Sequence, residues 1–104
     1  MDGAEVIAVT RDHQGAYVVV LARIWHGKIL VDHRELAWLL PEMLRAVAAP
    51  DHVDADPKHP GRRRYFARDI GPSSWLRVVV SYEQTPARII TAYPHRKDPP
   101  SWSA

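Results

Sequence analysis

A single apolar stripe constrains this chain most. Leu36, Leu39, Leu40, Met43, Leu44 and Val47 recur at three- and four-residue spacing, which lines them along one side of a helix. Almost everything else that is apolar falls into short β-branched runs. A helical segment with one stripe has one surface to bury, and a sheet face is the natural partner for it. The other face of that sheet is then left helix-free. With 104 residues the chain has room for one domain, residues 1–104, and for a core one layer thick.

The elements follow from punctuation. Val6, Ile7, Val9 and Thr10, then Val18, Val19 and Val20, flank an Asp and a Gly at 12 and 15, which predicts an N-terminal β-hairpin within residues 1–25. Residues 26–50 form the helical segment. Its first part, 26–32, fits neither period because Gly27 interrupts both. Asp32 and Glu35 have the spacing of a capping box, and Pro41 implies either a kink or two short helices with Pro41 in the first turn of the second. Residues 51–97 read as a short edge strand near 51–56 and three strands over 62–70, 74–84 and 87–95. Residues 98–104 are a Pro/Ser-rich tail in which Trp102 can dock back. The expected fold class is α+β, with a helical segment packed on one face of a small antiparallel β-sheet.

Composition narrows the chemistry. The chain has no Cys, which excludes a disulfide scaffold, a thiolate zinc site and a cysteine nucleophile, and fits a reducing cytoplasm. Its six His show no HxH or helical HxxxH spacing, so neither a metal site nor a cofactor is expected. No apolar run approaches a membrane span of about 20 residues. The net charge of +2 conceals a division: residues 1–56 carry five basic and nine acidic side chains, residues 57–97 nine basic and two acidic. Eleven Arg against three Lys suits planar, bidentate phosphate recognition, so a polyanion is the expected partner of the second half.

Strand alternation sorts those side chains by face. Over 74–84, Leu76, Val78 and Val80 share the face that meets the helices, while Trp75, Arg77, Val79 and Ser81 share the other. Over 62–70, Arg62, Arg64, Phe66 and Arg68 alternate with Arg63, Tyr65 and Ala67; over 87–95, Ile89, Thr91 and Tyr93 alternate with Arg88, Ile90 and Ala92. A helix-free face gathering Arg77, Thr91, Tyr93 and either Arg64, or Arg63 with Tyr65, would be rich in phosphate-binding groups. Such a set suits RNA cleavage by the substrate's own 2′-hydroxyl, which needs proton transfer and fixed positive charge on the phosphorane but no obligatory metal. His33 is the candidate imidazole for proton transfer, Trp75 the candidate for base stacking, and Glu35 reads as a helix cap.

The succession DHREL, LLPEMLRAVAAPD, HPGRRRYFAR, WLRVVVSYE and RIITAYPHR resembles phage-associated and toxin-like ribonucleases of the barnase/EndoU/colicin/RelE-like group, from about Trp25 to Lys97. The resemblance implies metal-independent endoribonuclease activity on the helix-free face, with His33, Arg64 and Thr91 catalytic. Arg62, Arg63, Tyr65, Arg77, Tyr93, His95 and Arg96 would bind substrate. RNA is then the substrate, and an antitoxin or immunity protein the possible partner of a toxin or phage-derived effector. Lys28 stands where the family often has a His, so a second proton-transfer group would fall to His26 or His95, and a noncatalytic RNA- or protein-binding relative is the alternative.

Overall fold

The chain, described over residues 3–102 by a computed structural model, forms one six-stranded sheet with helices on one face. The strands are β1 (Val6–Arg11), β2 (Tyr17–Leu21), β3 (His52–Ala55), β4 (Arg62–Arg68), β5 (Trp75–Ser81) and β6 (Ala87–His95), in the order β1-β2-β6-β5-β4-β3. The architecture is α+β as expected, but the sheet is mixed. Strand β2 runs parallel to β6, pairing Val18 with Ala87 and Val19 with Arg88, while every other pairing is antiparallel. The hairpin therefore extends the sheet. Val18 and Val20 are fully buried, and β2 shields them by joining β6 under the same helical cover.

The hairpin turn is closed by Asp12. Its Oδ1 accepts from the amides of Gln14 and Ala16, both at 2.9 Å, and Gly15 takes a φ of +94° that a side chain would resist. Strand β2 ends at Leu21, short of the expected boundary at Trp25. Ala22, Trp25 and Ile29 are buried at three- and four-residue spacing, so a helical path is what brings all three onto the sheet. That path is continuous through α1 (Ala22–Ile24), a π-helical turn (Trp25–Ile29) and α2 (Leu30–Asp32), which settles the stretch around Gly27 as helix.

His33 breaks the path at φ −139° and ψ 72°, followed by a 3₁₀ turn (Arg34–Leu36) and then by α3 (Leu40–Ala48). The expected capping box does not form: no side chain caps these starts, Asp32 closes α2, and Glu35 turns to His33 instead. Pro41 lies in the first turn of α3, so the stripe is carried by two short pieces. Leu36, Met43 and Val47 have no exposed surface and pack with Tyr65, Leu76, Val78, Val80 and Ile89. Burying each such aliphatic side chain contributes about 1.5–3 kcal/mol.

One irregularity redirects β6. Val79 pairs with Thr91 but Val80 with Ile89, so Ile90 is an extra residue and the alternation changes phase there. Ile89 faces the helices while Thr91 and Tyr93 face away, which corrects the expectation that the three share a face. In the tail, Trp102 packs edge-on to Trp75 with centroids 4.8 Å apart, and Asp98 accepts from the Trp75 indole at 3.1 Å. The last two tail residues and the first two of the chain lie outside the described range.

A buried polar cluster ties hairpin to sheet. The Tyr82 hydroxyl donates to Asp12 Oδ2 at 2.8 Å and is itself hydrogen-bonded to the Tyr65 hydroxyl, with Asp12 5% exposed and Tyr65 fully buried. Burial works to raise the Asp12 pKa, but the hydrogen bonds from Tyr82, Ala16 and Gln14, with the nearby His13, outweigh it and hold the carboxyl below its ordinary range. Burial and the same two partners push the Tyr82 phenol far up.

Candidate functional site

The strand registers build the helix-free face in rows. Asp54, Arg64, Val79 and Thr91 lie side by side across β3, β4, β5 and β6; His52, Phe66, Arg77 and Tyr93 form the next row, and Arg68, Trp75 and His95 the one beyond. Among the residues over 62–70, alternation therefore selects Arg64 for this face. Arg63 and Tyr65 leave the candidate set. Tyr65 is in the core, and Arg63 donates to Gln14 at 3.0 Å and lies over the Tyr82 ring, on the helix-covered side.

A pocket of about 400 Å³ opens over the first two rows. Arg62, Arg64, Arg77, Thr91 and Tyr93 line it, so five of the sequence-derived residues converge. The β3–β4 loop forms its outer wall. Asp56 Oδ1 accepts from the amides of Lys58 and His59 at 2.9 and 3.2 Å, and the Arg62 amide donates to the His59 carbonyl at 3.0 Å. These bonds pin Lys58 and His59 at the rim, and the Lys58 amide leads in holding the Asp56 carboxyl below its ordinary range.

The arginines are not equivalent. Arg64 is held bidentately by Asp54, with Nη2 to Oδ2 at 2.7 Å, and that pairing keeps its pKa raised. His52 stands 3.7 Å from the same carboxylate. Arg77 has no acidic partner among the described residues. Its guanidinium lies 5.0 Å over the Tyr93 ring and 5.7 Å over Phe66, and its Nε is buried without a hydrogen-bond partner. Arg62 Nε, His52 Nε2 and His95 Nδ1 are in the same condition, so four of the five such atoms among the described residues belong to this face. A buried donor without a partner is costly, of order 1–3 kcal/mol, and a phosphate bound here would satisfy the guanidinium donors.

His33 reaches the site from the helical side. Its ring stacks on Tyr93 with centroids 5.8 Å apart, and Nδ1 is 3.2 Å from Glu35 Oε1. Glu35 is thereby a partner to an imidazole, which the capping-box reading missed; the two-residue spacing carries no periodic signal. A carboxylate on Nδ1 orients the ring and leaves Nε2 free to accept a proton. His95 sits at the far end of β6, tilted against Phe66; burial, then the charge of Arg77, lowers its pKa. Arg96 follows the strand and is exposed, outside the pocket. Trp75 is fully buried beneath Trp102 and is no platform for a base as it stands.

The arrangement offers a guanidinium without an acidic partner among the described residues, a second fixed cation, a hydroxyl and an aromatic ring around one pocket; the carboxylate-oriented imidazole of His33 stacks on that ring but does not itself line the pocket. Among the described residues, no three His, Asp or Glu side chains converge to hold a metal ion, and no helix is long and apolar enough to cross a membrane. No protein-family model, curated protein or solved structure matches this chain.

Proposed function

We propose that this chain is a metal-independent ribonuclease, a toxin or phage-derived effector that cleaves RNA by attack of the 2′-hydroxyl on the adjacent phosphate. One observation carries the reading: Arg77, Thr91 and Tyr93 share a basic pocket on the helix-free face, and His33, outside the pocket lining, stacks on the Tyr93 ring. Arg77, without an acidic partner, takes the non-bridging phosphate oxygens and stabilises the charge that grows on them. Thr91 donates to one of those oxygens. His33, oriented by Glu35, accepts the proton of the 2′-hydroxyl. Arg64 serves as a fixed positive charge, since Asp54 already occupies its fork. Activity of this kind in a cytoplasm calls for an antitoxin or immunity protein able to cover the pocket.

The Arg64–Asp54 pair also favours a second reading, a noncatalytic module of the same fold that binds RNA or protein. Incubating the purified chain with labelled RNA in EDTA separates the two. Cleavage to 2′,3′-cyclic phosphate ends, lost in His33→Ala, supports the ribonuclease; binding without cleavage supports the module, and cleavage that needs an added divalent metal refutes the mechanism.

A further inference from the structure

Cleavage by 2′-hydroxyl attack needs two proton transfers on opposite sides of phosphorus, and His33 provides one. Lys58 and His59 are the basic side chains on the pocket's loop wall, and of the two an imidazole is the group suited both to give and to take a proton. The sequence offers His26 and His95 for this role, and the structure favours neither. His26 is exposed on the π-helical turn and does not line the pocket. His95 lies past Tyr93 on β6, also outside the pocket, and burial with the charge of Arg77 lowers its pKa.

His59 differs in position. It lines the pocket with Arg62, Arg64 and Thr91, and it approaches from the β3–β4 loop, whereas His33 approaches from the helical segment beside Tyr93. Its backbone is fixed on both sides of the Cα, the amide by Asp56 and the carbonyl by the Arg62 amide, so the loop presents the side chain from a defined position. We infer that His59 is the second proton-transfer residue of the site, the general acid that protonates the leaving 5′-oxygen; this rests on the ribonuclease reading. The step balances without a co-reactant. His33 Nε2 takes the 2′-hydroxyl proton, the 2′-oxygen–phosphorus bond forms, the phosphorus–5′-oxygen bond breaks, and the His59 imidazolium gives its proton to the departing 5′-oxygen. The products are a 2′,3′-cyclic phosphate and a free 5′-hydroxyl.

The leaving group supplies the test. A general acid matters for an alkoxide leaving group and hardly at all for a nitrophenolate, which departs without a proton. His59→Ala and His59→Gln should therefore lower kcat on a ribodinucleotide by roughly 10²–10⁴-fold, while cleavage of a ribonucleoside 3′-(4-nitrophenyl phosphate) stays near the wild-type rate. His33→Ala should lose both activities. Because His59 is an exposed loop residue, both variants are expected to keep the wild-type melting temperature. Equal losses on the two substrates, or no loss on the dinucleotide, would overturn the assignment of His59 and leave the ribonuclease reading standing. A wild-type chain that cleaves neither substrate overturns both.

Discussion

Tyr65 and Arg64 are neighbours in one strand, and each belongs to a polar cluster, but the two clusters are finished differently. On the helix-covered side, Tyr65, Tyr82 and Asp12 satisfy one another: two amides and a phenol reach the carboxylate, and the second phenol reaches the first. On the helix-free side, Arg62, Arg77, His52 and His95 each bury a ring or guanidinium nitrogen with no hydrogen-bond partner among the described residues, although Asp54 stands 3.7 Å from that of His52. A closed network stabilises the fold because every group that left water has a replacement partner. An open one opposes the fold slightly and gains when a ligand completes it. The same strands thus hold a structural cluster and a functional candidate one residue apart, and mutation should separate them by which property it moves.

The largest effect belongs to His33. His33→Ala should lower RNA cleavage by roughly 10²–10⁴-fold with no loss of thermal stability, because the ring is partly exposed and its only polar side-chain partner among the described residues is the exposed Glu35. Next comes Arg77. Arg77→Met keeps a stem against Phe66 and Tyr93, and should lower kcat by about 10²–10³-fold, the scale for losing one donor to a developing oxyanion. Its melting temperature should hold or rise, since a buried Nε without a hydrogen-bond partner has been removed; a clear drop would mean that Arg77 belongs to the structural class.

The closed cluster should answer in the opposite sense. Tyr82→Phe leaves Asp12 Oδ2 and the Tyr65 hydroxyl without their shared partner, at a cost of about 1–3 kcal/mol. For a domain of this size each kcal/mol corresponds to roughly 4–8 °C in Tm. Cleavage at a temperature well below the transition should not change. A Tyr82→Phe variant as stable as the wild type would remove the distinction between the clusters.

The smallest effect is a dependence on pH. The folded Asp12 carboxyl titrates below its unfolded value of about 3.9, so its ionised form stabilises the fold fully above about pH 4. That contribution is lost as pH falls through the folded pKa. Asp12→Asn retains an Oδ1 acceptor for the turn but not the charge. The wild type should be the more stable of the two at pH 5–7, and denaturant titrations should converge as the pH drops below about 4. A gap that persists at low pH would assign the effect to geometry rather than charge.

Much of this division was legible beforehand. Alternation in β4 and β5 separates Arg64 from Tyr65 and Arg77 from Val78, and the Leu76–Val78–Val80 set identifies the helix-facing side. The stripe through Leu36, Met43 and Val47 was legible for the same reason, that its period repeats. What escaped depends on partners distant in sequence. The extra residue at Ile90 is defined only by counting against β5, and nothing local marks it. Tyr82 meets Asp12 across seventy positions of sequence. His59 sits in a turn whose residues announce a loop and not its destination, although the Asp56-x-Lys58-His59 turn was a signal that the loop has a fixed shape. The helical path through Gly27 was hidden because a π turn obeys neither the helix nor the strand period.

The central claim is that the helix-free face, with its unpaired cationic groups, is where RNA phosphate binds. A titration of the isotope-labelled chain with a 2′-deoxy or 2′-O-methyl oligonucleotide, which can bind but cannot be cleaved, tests it directly by nuclear magnetic resonance. The account predicts shifts concentrated at Arg62, Arg77, Thr91, Tyr93, His33 and His59, with Tyr82 and the residues around Asp12 unmoved. Shifts centred on the hairpin or on the exposed Trp38, or no shift at low salt, would contradict it.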